Sequence, residues 1–271
     1  MKKRIAFLGC GNMASAIIGG ILKANIVCDE DINVFDVNKT QYEKFKDTKI
    51  NTFDTAADAV SGADYIVLAV KPQNYADLLC ELSKTAGDVS SKTFISIAAG
   101  VSTSSICARF GKDLKVVRTM PNTPLLYSSG TTALCKNKFV SDEDYAFVRG
   151  IFAASGTVFD LEEEKMNAII SVTSSSPAYV YLFIKSIIEG AKEQGFDEAK
   201  IKDAVCDMVI GSAKMLKQSP KTPDELINMV TSPKGTTERA MNVLYEAKPI
   251  ETMKRAMEEC TKRADELSKL V

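Results

Sequence analysis

A chain of 271 residues, 45% hydrophobic and 25% charged, is long enough for one large domain or two modest ones and too apolar to stay disordered. A formal net charge of −1, with no run of like charges, gives no footprint for nucleic acid or an anionic membrane, and the absence of histidine removes the commonest general base and metal ligand and every Ser-His or Cys-His nucleophile. Seven scattered cysteines without a C-x-x-C pair, no cleavage-site pattern and no apolar run near the roughly 18 residues of a membrane span leave metal-free small-molecule chemistry in the cytoplasm as the expectation.

The chain opens with an apolar strand, Ile5–Leu8, followed by Gly9-Cys10-Gly11-Asn12-Met13-Ala14. In this G-x-G-x-x-A turn Gly9 permits the tight bend, Gly11 lets the backbone approach a pyrophosphate, and Ala14 packs a helix against a strand. A helix beginning near Asn12 aims its free N–H groups and positive dipole end at that anion. Small residues at a strand-to-helix corner also arise from packing alone, so the turn needs context. Ile32–Phe35 reads as a second strand ending in Asp36, 22 residues after Ala14, close to the spacing of about 20 for a carboxylate that accepts ribose hydroxyls. An acid there repels a 2′-phosphate and favours NADH, unless Lys39 neutralises the phosphate or Asp36 merely caps the next helix.

Further strands are expected at Tyr65–Val70, Thr93–Ile97, Lys115–Met120, Thr131–Cys135 and Thr157–Asp160, alternating with helical patterns, which makes a parallel, doubly wound sheet. The nearly all-apolar run from Tyr65 suits a central strand, and Pro72 takes the chain out of the sheet at a carboxyl end, where ligands bind in open α/β sheets. Small residues follow the next strand at Ala98-Ala99-Gly100, and the rigid turn Pro121-Asn122-Thr123-Pro124 follows the one after it. Ser141 starts a capped helix. The first domain is expected to span residues 1–161.

From residue 162 to 271 the strand signal disappears, and amphipathic stretches over Lys165–Gln194, Glu198–Lys217 and Thr252–Leu270 predict an all-helical second domain. Pro177 interrupts the first stretch, with a new helix expected near Ala178. Ala178–Ile188 is apolar on more than one face; an intertwined homodimer buries such a helix, and a compact monomeric bundle is the other packing. Thr222 and Glu225 form a capping box, and the helix it starts leads into Thr231-Ser232-Pro233-Lys234-Gly235-Thr236-Thr237. Hydroxyls and N–H groups gather in this turn, which suits either a carboxylate or plain helix capping.

Gly9–Ala14, Ala69-Val70-Lys71-Pro72-Gln73, Ser96–Ser102, Met120–Pro124, Pro177-Ala178-Tyr179-Val180-Tyr181 and Thr231–Thr237, in this order, resemble the pyrroline-5-carboxylate reductases across nearly the whole chain. The resemblance implies a Rossmann domain followed by a helical dimerisation domain, dimers or rings of dimers, and NADPH- or NADH-dependent reduction of the cyclic imine 1-pyrroline-5-carboxylate to L-proline. It implies cofactor positions at Leu8, Gly9, Cys10, Gly11, Asn12, Met13, Asp36, Ala69, Val70, Lys71, Pro72, Ile97, Ala98 and Ala99. It implies substrate positions at Ser232, Gly235, Thr236 and Thr237, with Thr237 near the imine nitrogen as the catalytic candidate.

Three departures stand out. Ser174-Ser175-Ser176 replaces a usual Gly-Ser-Gly, Lys234 replaces a usual glycine in the carboxylate loop, and Ala56 stands where an asparagine often contacts the ribose. Two rival readings keep the same build. A hydroxyacid dehydrogenase would rely on a helical-domain lysine, for which Lys185 is available, and a cofactor-binding sensor would have lost turnover.

Overall fold

The computed structural model describes residues 2–270. In chain order, β1 (Ile5–Leu8), α1 (Asn12–Lys23), β2 (Ile32–Phe35), β3 (Asn51–Thr52), α2 (Ala56–Val60), β4 (Tyr65–Leu68), α3 (Tyr75–Thr85), β5 (Thr93–Ser96), α4 (Thr103–Phe110), β6 (Lys115–Met120), β7 (Gly130–Lys136), α5 (Asp142–Ala153) and β8 (Gly156–Asp160) build one sheet with helices on both faces. The strand order is β3-β2-β1-β4-β5-β6-β7-β8. Ile5 pairs with Ile32 on one side and Tyr65 on the other, both in parallel, so connections leave β1 in opposite directions. That reversal opens a crevice at the carboxyl ends of β1 and β4.

The period-two alternation of the strands sorts the core into two layers. Ile5, Phe7, Val34, Val67, Ile95 and Val117 face α1 and α5 in one apolar cluster. Leu8, Ile66, Leu68, Phe94 and Val116 face α2, α3 and α4 in another. All four residues of β1 are fully buried.

The sheet departs from the wholly parallel expectation at β7, which runs antiparallel to β6, and β3 is a two-residue edge strand that the apolar pattern does not announce. Two strands are also shorter than their apolar runs. β4 stops at Leu68 because the backbone of Ala69 and Val70 lies against Gly9, and β5 stops at Ser96.

Past β8 the structure is helical: α6 (Ser176–Glu193), α7 (Glu198–Gln218), α8 (Pro223–Val230), α9 (Thr236–Glu246) and α10 (Pro249–Leu267). The helical stretch expected over Lys165–Gln194 is interrupted before Pro177, as expected, and consists of a 3-10 turn at Glu163–Lys165, a π turn at Ile170–Ser174 and then α6, which starts two residues before Ala178 with Pro177 in its first turn. The chain divides into two compact units. The first runs to Pro177 and takes back the chain from Glu259 onward, and the second is Ala178–Glu258. In the first, Asn167 Nδ2 donates to Asp265 (2.7 Å), and Ala264 joins a cluster with Met120 and Met166. Among the described residues, no helix is long and apolar enough to cross a membrane.

Candidate active site

The glycine turn is held from both neighbouring strands. Gly9 has φ +100°, a left-handed backbone that side chains resist, and its N–H donates to Phe35 O at 2.7 Å. A Cβ on Gly9 would stand 2.7 Å from Ala69 O, so only glycine fits. Cys10 is buried, and burial first, with the Asp36 charge second, pushes its thiol up to about 12. It is a protonated packing group, not a nucleophile.

Gly11 differs from Gly9. It is the N-cap of α1, no side chain caps the helix, and a Cβ there would meet nothing within 4 Å. The first turn of α1 contains no acid, so its free amides and the positive dipole end face the opening beside Gly11. Ala14 is 1% exposed and serves packing. This cradle fits the pyrophosphate of a dinucleotide.

Asp36 is fixed at the rim. Its Oδ2 accepts from Cys10 N (2.7 Å) and its Oδ1 from Asn38 N (2.8 Å). Two amides leave lone pairs for hydroxyl donors, because an ionised carboxylate has about four acceptor sites. The helix-capping alternative for Asp36 falls to its neighbour: Asn38 is the N-cap of the 3-10 turn Lys39–Phe45 and accepts from Thr40 N. Lys39 does not turn towards Asp36; its Nζ donates to Tyr42 Oη (3.2 Å) and Phe53 O (3.0 Å) and pairs with Asp54 (3.3 Å). A cavity of about 240 Å³ opens here, lined by Gly9, Asp36, Val37, Val70, Asn74 and the α3 residues Asp77, Leu78 and Glu81, along with Phe35.

The remaining cofactor candidates stand at the neighbouring strand ends. Ala69 N donates to Leu8 O (2.8 Å), and Lys71 precedes the 3-10 turn Pro72–Asn74 that leads into α3. The fully buried Tyr75 donates to Leu68 O (2.6 Å) and lies 3.1 Å from Ser96 Oγ, joining β4 to β5 just behind the crevice. Ile97 N reaches Leu68 O at 3.4 Å, and Ala99 packs on the cluster containing Met120. Leu8–Met13, Asp36, Ala69–Pro72 and Ile97–Ala99 therefore share one edge of the sheet. Leu8 and Ala98 are buried, so they offer backbone only. Ala56 is fully buried inside the second core layer, where it lines nothing open.

One motif asparagine has a structural task that the sequence reading left unassigned. Asn122, 8% exposed, donates through Nδ2 to Thr173 O (3.0 Å) and accepts through Oδ1 from Thr131 N (2.8 Å). It ties the carboxyl end of β6 to the π turn and to β7. Of the serines at 174–176, Ser176 Oγ donates to Ser171 O and Val172 O and Ser175 Oγ lies 3.3 Å from Cys260 Sγ, whereas Ser174 Oγ, at the end of the π turn, is buried without a partner among the described residues.

The other candidate loop lies within Ala178–Glu258. The capping box of α8 forms as expected, and α8 ends at Thr231, whose hydroxyl donates to Ile227 O. Gly235 N donates to Ser232 O (2.9 Å), closing a turn in which a Cβ on Gly235 would stand 2.4 Å from Ser232 Oγ. Gly235 is the N-cap of α9, and no side chain caps the helix. Among the described residues the hydroxyls of Ser232, Thr236 and Thr237 have no partner, so plain capping does not account for them. Three hydroxyls and an uncapped helix start make a seat for a carboxylate. Lys234 has φ +63°, the backbone a glycine would take more easily, and its N–H donates to Glu238 (2.8 Å). Its side chain is exposed, as is that of Lys185 on α6.

Residues 163–267 match the model of the pyrroline-5-carboxylate reductase dimerisation domain, and residues 4–100 match that of NADP oxidoreductase, coenzyme F420-dependent. The chain is 35% identical over 270 residues to pyrroline-5-carboxylate reductase of Escherichia coli K12, covering 99% of this chain and 100% of that one. It is 34% identical to the Methanosarcina acetivorans enzyme, with 99% of each covered. The structure of Plasmodium falciparum pyrroline carboxylate reductase with NADP bound superposes with a TM-score of 0.90 at 30% identity, covering 98% of each chain. Prephenate dehydrogenase of A. aeolicus, at 15% identity and a TM-score of 0.55 over 99% of this chain and 86% of that one, shares the fold alone. With full-length identity to the reductases added to the glycine turn and the loop at 231–237, the chain belongs to the pyrroline-5-carboxylate reductase family.

Proposed function

We propose that this chain reduces 1-pyrroline-5-carboxylate to L-proline with NADPH or NADH. The observation that carries the reading is the pair of uncapped helix starts, one beside Gly11 with open space next to it and one at Gly235 beside Ser232, Thr236 and Thr237. Bound at the first, a reduced nicotinamide dinucleotide supplies the hydride for the imine carbon. Leu8, Gly9, Cys10, Gly11, Asn12 and Met13 bind its phosphates through backbone, Asp36 takes ribose hydroxyls, and Ala69–Pro72 with Ile97–Ala99 line its path. Ser232, Gly235 and Thr236 hold the substrate carboxylate, and Thr237 orients the imine nitrogen or a proton-delivering water. Its hydroxyl is too weak an acid to give up a proton freely. No histidine is needed, because a protonated imine already carries the electrophilic charge and the protein's task is positioning.

In this reading residues 1–161 serve the cofactor and 162–271 serve assembly and substrate, with residues 162–177 and the chain from Glu259 onward packed in the first compact unit. The working form is a homodimer through the helical domain, extending to a ring of dimers, located in the cytoplasm and without a nucleic-acid or membrane partner. The experiment is NAD(P)H oxidation by the purified protein with the imine. Imine-dependent oxidation supports the reading. A folded dimer that binds NAD(P)H without turning over would support the sensor instead.

A further inference from the structure

Besides Asp36, the cavity at the end of β2 has two acids that neither the sequence motifs nor the family membership assigns. Its lining contains three carboxylates, Asp36, Asp77 and Glu81, and no cation. Asp77 and Glu81 are one helical turn apart on α3, so both project from the same face, and they share the cavity with Asp36. Among the described residues neither has an ion-pair partner. No lysine is in the lining: Lys39 bonds Tyr42, Phe53 O and Asp54 with its ammonium 5.2 Å from the Phe35 ring centroid, Lys44 donates to Cys10 O of the turn (3.1 Å) and to Gln41 (2.5 Å), and Lys71 is exposed beyond Val70. The rest of the wall is apolar or neutral: Phe35, Val37, Val70, Asn74 and Leu78.

With the adenosine half of the cofactor seated at this end of β2 beside Asp36, we infer that Asp77 and Glu81 are further specificity-determining residues, which turn the cavity against a 2′-phosphate and so select NADH over NADPH. The inference rests on the reading of the glycine turn as the dinucleotide seat. A flat purine suits a slot walled by Val37, Val70 and Leu78, and Asp36 accepts the ribose hydroxyls. A 2′-phosphate would bring a charge of about −1.5 to −2 into a cavity with three carboxylates and no cation in its lining. Each like charge at such range disfavours it, and discrimination by repulsion needs no new contact with NADH. Asp77 and Glu81 are exposed, so salt screens their part, whereas the half-buried Asp36 is screened less.

The test is direct binding, read apart from turnover. Titrating the full-length protein with NADH and with NADPH should give at least about tenfold tighter binding of NADH at low salt. The ratio should shrink as salt is raised. Asp77→Asn with Glu81→Gln should narrow it about three- to tenfold, by tightening NADPH while leaving NADH unmoved, and Asp36→Ser should narrow it further. Equal or tighter binding of NADPH by the wild type overturns the inference, as does a double variant that weakens both cofactors alike, which would make the α3 acids adenine contacts. Imine reduction with NADPH preferred would leave the proposed function standing and remove this inference. Selective NADH binding without turnover would do the reverse.

Discussion

The glycine turn and the loop at 231–237 are built on opposite plans. The glycine turn stands on a closed core: every residue of β1 is fully buried, and apolar clusters cover both faces of the sheet. The substrate loop stands on helices that do not close. α6, α8 and α9 contain no buried residue and α7 only Val205, while Leu182 is 65% exposed, Ile210 65% and Val243 66%. Apolar surface on that scale marks an interface, and the dimerisation-domain match covers it. The glycine turn has its support buried within the chain, whereas the support of the substrate loop leaves apolar surface open.

The largest effect should come from attacking that open face. Leu182→Glu with Phe183→Glu would place two charges in the interface at a cost on the order of several kcal/mol, so light scattering should report a single-chain mass and imine reduction should fall about a hundredfold or more. A dimer that survives both charges would move the interface elsewhere. In the closed region the comparable break is Gly9→Ala. Its Cβ would meet Ala69 O at 2.7 Å in a left-handed backbone, a strain on the order of 3 kcal/mol that should lower Tm and cofactor affinity together.

Two smaller substitutions separate binding from folding. Thr237→Ala should lower turnover about ten- to a hundredfold, the loss of roughly 1–3 kcal/mol of orienting hydrogen bond, with cofactor affinity unchanged. An unaltered kcat/KM would reduce Thr237 to the start of α9. Gly11→Ala meets nothing within 4 Å, so Tm should hold while NADH affinity falls about tenfold, in contrast to Gly9→Ala. Affinity equal to wild type would take the pyrophosphate away from Gly11.

The smallest effect is expected at Lys234→Gly, which releases a left-handed residue and should stabilise the protein by up to about 1 kcal/mol in a denaturant titration. A loss of stability would mean that Lys234 is held by contacts its backbone angle does not reveal.

Local features were legible because their causes lie within a few residues. The continuous apolar runs of β1 and β4, the glycine turn, the capping box at Thr222 and the cap at Ser141 each depend on neighbours in sequence. The apolar girth of Ala178–Ile188 likewise announced a surface in need of cover. What packing alone decided involves partners far apart in the chain. The reversal of β7, the π turn tied by Asn122, the return of Ala264 and Asp265 to the first unit and the meeting of Asp36 with Asp77 and Glu81 are of this kind. Sequence determines which side chains can cap, turn or be buried, because those preferences act through local backbone geometry and water. Which acids face one cavity is set only when the whole sheet closes and brings α3 beside the end of β2, since no local pattern encodes a distance between residues 36 and 81.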